Sequence, residues 1–145
     1  MILFISCLKP KSDEWTKSDM VNLIKEKSDL SLNENFTVLL DSVEFTPGAF
    51  DDDHSYYLII EYKQSAEKEI VQKITTSVLF DTINSANYAD PTWDLINSKT
   101  EKGIWTRTKA GFEFLHCDNG RNKPEPFYLS VDTLSNRIEL NLTHL

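Results

Sequence analysis

The alternation of apolar and polar positions is strongest in the stretch Tyr56-Tyr57-Leu58-Ile59-Ile60-Glu61-Tyr62. Strand geometry puts Tyr56, Leu58, Ile60 and Tyr62 on one face and Tyr57, Ile59 and Glu61 on the other. Both sets are partly apolar, which predicts a central strand with cover on each side. Residues 36–46 read as its hairpin mate, interrupted at Asp41-Ser42, where a bulge is expected. Pro47-Gly48 closes that strand. A loop holding Asp51, Asp52, Asp53 and His54 then leads into the second strand, residues 55–63.

Helical periodicity appears on both sides of this hairpin. Met20, Val21 and Ile24 share one side, with Asp19 early and Lys25 and Lys27 late, and the spacing predicts a helix over 17–28. Trp15 is expected to pack near its start. After the hairpin, Ser65 reads as an N-cap. Ile70, Ile74 and Val78 make a stripe that Val71 and Ile83 extend, predicting one helix over 66–84. Its second half carries Thr75-Thr76-Ser77, poor helix material that invites fraying. Asp90-Pro91 reads as the start of a short helix through Asn97. The apolar run 2–8, closed by Pro10, predicts an interior strand.

The last third alternates with period two. Strands are expected at 104–108, 112–117, 127–132 and 137–143, with Lys109-Ala110-Gly111 and Leu134-Ser135-Asn136 as hairpin links. In the last strand Ile138, Leu140 and Leu142 point inward and Arg137, Glu139, Asn141 and Thr143 outward. The fold class is therefore α+β, a single domain over residues 1–145, mostly antiparallel sheet with two main helices. Two arrangements fit the element order. One is ferredoxin-like, βαββαβ, extended by C-terminal β-hairpins; the other is a curved antiparallel sheet wrapped over one long helix.

Charge changes the picture more than composition does. Lysine and arginine total 15 against 23 acids, a net charge of −8. Between Lys27 and Lys63 there is no Lys or Arg, but Asp29, Glu34, Asp41, Glu44, Asp51, Asp52, Asp53 and Glu61 all fall there. This balance argues against sequence-independent nucleic-acid binding and against adsorption to anionic membranes, and it favours a basic protein partner. The six basic residues from Lys99 to Lys123 read as a mildly basic side opposite the acidic hairpin. No apolar stretch approaches a membrane span and the N-terminal run lacks the parts of a signal peptide. Cys7 and Cys117, both among apolar neighbours, read as reduced thiols, so a cytoplasmic location is expected.

Catalytic motifs are missing. There is no Walker loop, GxGxxG, HExxH or Gly-x-Ser-x-Gly elbow, and no cofactor is expected. Asp51-Asp52-Asp53 lacks the alternate spacing and central glycine of a calcium loop, so no metal is expected either. His54, His116 and His144 have no partner at ligand spacing. His116 and Cys117, adjacent in a strand, point to opposite faces and cannot form a dyad, and His144 reads as a terminal residue without a fixed place. The acidic loop has two readings, a solvated tip or a recognition tip flanked by Phe50, Tyr56 and Tyr57. On the second reading Asp51, Asp52, Asp53, Glu44 and Tyr57 bind the partner, with Asp41 and Glu61 in support.

A small acidic domain with a rigid hairpin, an acidic tip and no catalytic motif is similar in general character to bacterial immunity proteins of the contact-dependent growth-inhibition type. The resemblance covers size and charge across the whole chain and rests on no motif. It implies a non-catalytic inhibitor that neutralises a co-produced toxin, often a basic nuclease, by covering its active site. The rival class is a small hydrolase or nuclease using His116 or His54 with a nearby acid.

Overall fold

The computed structural model describes residues 15–47, 52–81, 103–116 and 127–144. The expected strand 2–8, the short helix at 90–97 and both cysteines lie outside the described residues. Helix α1 spans Lys17–Ser28, as its periodicity predicts. Thr16 caps it in a reciprocal box: its hydroxyl accepts from the Asp19 amide at 3.2 Å, and the Asp19 carboxylate accepts from the Thr16 amide at 2.8 Å. The Thr16 amide and hydroxyl hold the Asp19 carboxyl below its ordinary pKa. Asp29 ends the helix in the left-handed conformation.

Strands β1 (Phe36–Pro47) and β2 (Asp52–Tyr62) form the expected hairpin. The register slips between Val38 and Leu40, so the bulge falls at Leu39, just before the interruption at Asp41-Ser42. Strand β2 begins three residues earlier than its sequence pattern suggests. Asp52, Asp53 and His54 are strand residues opposite Pro47, Thr46 and Phe45, not members of a separate loop.

The second helical pattern ends early. A single 3-10 turn, Gln64–Ala66, leads into helix α2, Glu67–Thr75. No side chain caps either start, so Ser65 does not act as the N-cap. The Thr75 hydroxyl bonds the Val71 carbonyl at 2.9 Å and the Thr76 hydroxyl the Gln72 carbonyl at 2.7 Å. Hydroxyls that bond back onto the preceding turn weaken helical backbone, and the helix stops there. Ile70 and Ile74 are buried, whereas Val78, beyond the end, is 85% exposed.

The remaining strands are β3 (Gly103–Arg107), β4 (Gly111–His116), β5 (Phe127–Asp132) and β6 (Arg137–His144). All six described strands form one antiparallel sheet in the order β1-β2-β6-β5-β4-β3. The expected α+β domain, mostly antiparallel sheet with two helices, is what the described residues build. The ferredoxin-like order is not. In that arrangement β2 would lie beside the first strand of the chain, but the position is taken by β6, and β3 stands at the far edge. The C-terminal strands thus complete the sheet from its middle instead of extending it as an appendage. His144 is fixed in β6 opposite His54.

One face of the sheet carries the core. Tyr56, Leu58, Ile60 and Tyr62 of β2 are buried with Ile138, Leu140 and Leu142 of β6, Leu129 and Val131 of β5, and Phe112 and Phe114 of β4. Met20 and Ile24 of α1 and Ile70 and Ile74 of α2 close over them. Trp15 tilts against Tyr56 with ring centres 4.9 Å apart. The indole of Trp105 donates to the Ser28 carbonyl at 3.1 Å and so ties the end of α1 to β3. The far edge is also closed: the Trp105 amide donates to the Leu79 carbonyl at 2.8 Å, and the Asp81 amide to the Trp105 carbonyl at 2.9 Å. Arg107 lies over the rings of Phe80 and Phe112, so this cation of the basic stretch packs on aromatic surface.

Candidate partner-binding face

The opposite face of the sheet is where most of the expected partner-binding residues meet. Directly paired residues of antiparallel strands share a face. The register therefore lines up Leu40, Ile59, Glu139, Ser130, Glu113 and Thr106 in one row from β1 to β3. A second row holds Ser42, Tyr57, Asn141 and Tyr128. On one side of these rows stand Glu61, Arg137 and Asp132, and on the other Glu44 and Ser55.

This face is graded. At the β3 end Ile104 and Thr106 are buried. Toward β1 it opens, with Tyr128 43% and Leu40 41% exposed, Tyr57, Ile59 and Asn141 half-buried, and Glu44, Glu61 and Glu139 exposed. The expected cover on both sides of β2 is thus complete only on the helix side. Glu44, Glu61, Glu113, Glu139 and Asp132 give this face five carboxylates, and Arg137 is its one cation among the described residues. Arg137 stands between Glu61 and Asp132 in the ladder. The Leu134 and Ser135 amides bond Asp132 at 2.8 and 3.0 Å. Hydrogen bonds from Ser135 are the main reason that its carboxyl sits below the usual range. Glu139 and Glu113 belong to strands two apart, about 10 Å at ordinary spacing. The negative charge is therefore spread over a surface, not focused on a point.

Of the expected partner residues, Glu44, Tyr57 and Glu61 share this face. Asp51 lies outside the described residues, and for Asp52 and Asp53 only the backbone, in β2, is described. Asp41 pairs with Leu58 and so belongs to the helix face, apart from the others. It lies close behind Tyr56 there. Burial and the Asp41 carboxylate both raise the Tyr56 phenol well above its ordinary pKa. The approach falls short of a regular hydrogen bond, since the Tyr56 hydroxyl and Asp41 Oδ1 are buried without a partner. Removing the hydroxyl therefore removes little: Tyr56→Phe is expected to leave stability within about 1 kcal/mol of the parent, or to raise it. A loss above about 2 kcal/mol in urea unfolding would mean that the phenol is firmly bonded. Tyr62, also buried, has its phenol pushed up to about 12, mainly by desolvation.

Of the two histidines that carry the hydrolase reading, only the backbone of His116, in β4, is described. His54 is exposed at the end of the sheet. Among the described residues no three His, Cys, Asp or Glu side chains converge as a metal set, and no helix is long and apolar enough to cross a membrane. A crevice between the 31–36 segment and α2 leaves only about 20 Å³ for water, and it is lined by Phe36, Tyr62, Glu69, Ile70 and Lys73 without a histidine. Lys73 fills its rim, bonding the Ser31 carbonyl and Glu69, both at 2.8 Å.

Sequence reasoning missed Glu113, Glu139, Tyr128 and Asn141 as members of the face. The outward alternation of β6 was a signal for two of them, but only the pairing of β6 with β2 makes them neighbours of Tyr57. Comparison with known proteins gives no family model, no curated protein and no solved structure that matches this chain.

Proposed function

We propose that the chain is a non-catalytic binding protein that takes a basic protein on its open sheet face. The observation that carries this reading is the gathering of Glu44, Glu61, Glu113 and Glu139 around Tyr57, Ile59 and Tyr128 on a face with one cation among its described residues. Aromatic side chains supply contact area at low entropic cost, and spread carboxylates steer a cationic surface into register. Held on six paired strands, such a face is preorganised, so little ordering opposes association. The partner that fits best is a toxin domain with a cationic active site, and the protein acts as its cytoplasmic immunity protein: the acids occupy the place of substrate phosphates.

The test begins with the basic protein that co-purifies from the native cells. Reversing Glu44, Glu61 and Glu139 to lysine together is expected to lower its association rate by about tenfold or more at low salt and to flatten the salt dependence. Unchanged rates, or a co-purifying partner that is itself acidic, would remove the reading.

A further inference from the structure

Spacing along the chain gives none of the three histidines a ligand partner, but the strand register gives one to His54. Strands β2 and β6 pair without a slip from Glu61–Arg137 to His54–His144. Within that ladder Ile60–Ile138, Leu58–Leu140 and Tyr56–Leu142 are buried pairs on the helix side of the sheet. The next pair in the series is His54 with His144. The apolar ladder thus ends in two histidines, and His54 is exposed to solvent there.

We propose that His54 and His144 together bind one divalent ion of the zinc, nickel or copper class. The inference stands apart from the acidic face, which is on the other side of the sheet. Directly opposed residues of antiparallel strands have Cβ atoms about 4.5–5.5 Å apart. Imidazole nitrogens bind zinc at about 2.0–2.1 Å, so two rings on such a pair can close on one ion with water in the remaining positions. Imidazole suits these metals, whereas calcium and magnesium take oxygen ligands. The sequence around the pair is anionic: Asp51, Asp52 and Asp53 run directly into His54, and the nearest cations along the chain are Lys27 and Lys63. That charge favours a cation at the start of β2. An ion held by both residues clips the end of β6 to the start of β2, so its binding adds to the stability of that pairing.

The probe is Zn²⁺ added to the full chain after metal has been removed with a chelator. One ion per chain is expected, with the NMR ring signals of His54 and His144 shifting together while that of His116 stays. His54→Gln and His144→Gln are each expected to weaken zinc binding by at least about tenfold, and His116→Gln by less than about twofold. Zinc is also expected to slow hydrogen exchange of the amides at residues 54–56 by at least about tenfold in the parent chain and in neither of the first two variants. Parent-like affinity in His144→Gln, one ion shared by two chains, or a loss in His116→Gln equal to that in His54→Gln overturns the proposal. The ring signals are read in the parent chain, so they decide even where a variant fails to fold: a His54 shift without a His144 shift overturns the paired site.

Discussion

Replacing Gly111 with alanine is expected to destabilise the domain by about 2–4 kcal/mol. Gly111 opens β4 at φ +156°, and a Cβ there would lie 2.1 Å from the Val131 carbonyl oxygen and 3.1 Å from the Thr133 amide nitrogen. Both are backbone atoms of the neighbouring strand and turn, so no side chain can swing aside. The same corner is closely bonded. The Gly111 amide donates to the Thr108 hydroxyl at 3.0 Å, the Thr108 amide to the Gly111 carbonyl at 2.9 Å, and the Thr133 amide to the Ala110 carbonyl at 2.8 Å. A shift that relieves the clash must stretch these bonds or the β4–β5 ladder. Native domains hold only about 5–15 kcal/mol in total, so the urea midpoint should fall sharply while the slope stays near the parent's. A loss below about 1 kcal/mol would show that the corner relaxes freely.

Much of this fold was legible because local chemistry and tertiary placement agree. The Met20–Ile24 spacing, with Asp19 early and Lys25 and Lys27 late, finds α1, and period-two alternation finds β2, β5 and β6, with the inward face of β6. Two kinds of information lay beyond such patterns. The first is competition between propensities: the 70–74–78 stripe argues for continuing α2, but the hydroxyls of Thr75 and Thr76 bond backward and stop it. The second is strand order. Alternation says that Glu139 points away from Ile138, but not that β6 enters beside β2. Pairing across that long sequence separation creates the acidic face, so the site could be read only in part. Glu44, Tyr57 and Glu61 were found because they lie on neighbouring strands of one hairpin. Glu113 and Tyr128 arrive from the other end of the chain. Asp41 stands apart from the other acids because the bulge falls at Leu39, before it and not at Asp41-Ser42, and a single extra residue reverses which side chains face the core.

Trp105→Ala is expected to cost about 3–5 kcal/mol, and Trp105→Phe about 1–3 kcal/mol. The two variants separate what the indole does. Its ring is buried and stands edge-on to Phe114 at 5.2 Å, so alanine leaves a cavity in the core. Phenylalanine keeps most of the ring but lacks the N–H that meets the Ser28 carbonyl at 3.1 Å. Ser28 is itself fully buried, so that carbonyl would lose a donor where water cannot replace it. The backbone of residue 105 closes the β3 edge through Leu79 and Asp81. Loosening the side chain should therefore quicken exchange of the Asp81 amide in the alanine variant before global unfolding does. Equal losses for the two variants would place the whole effect in the hydrogen bond, and an unchanged Asp81 amide would show that the edge holds without the indole.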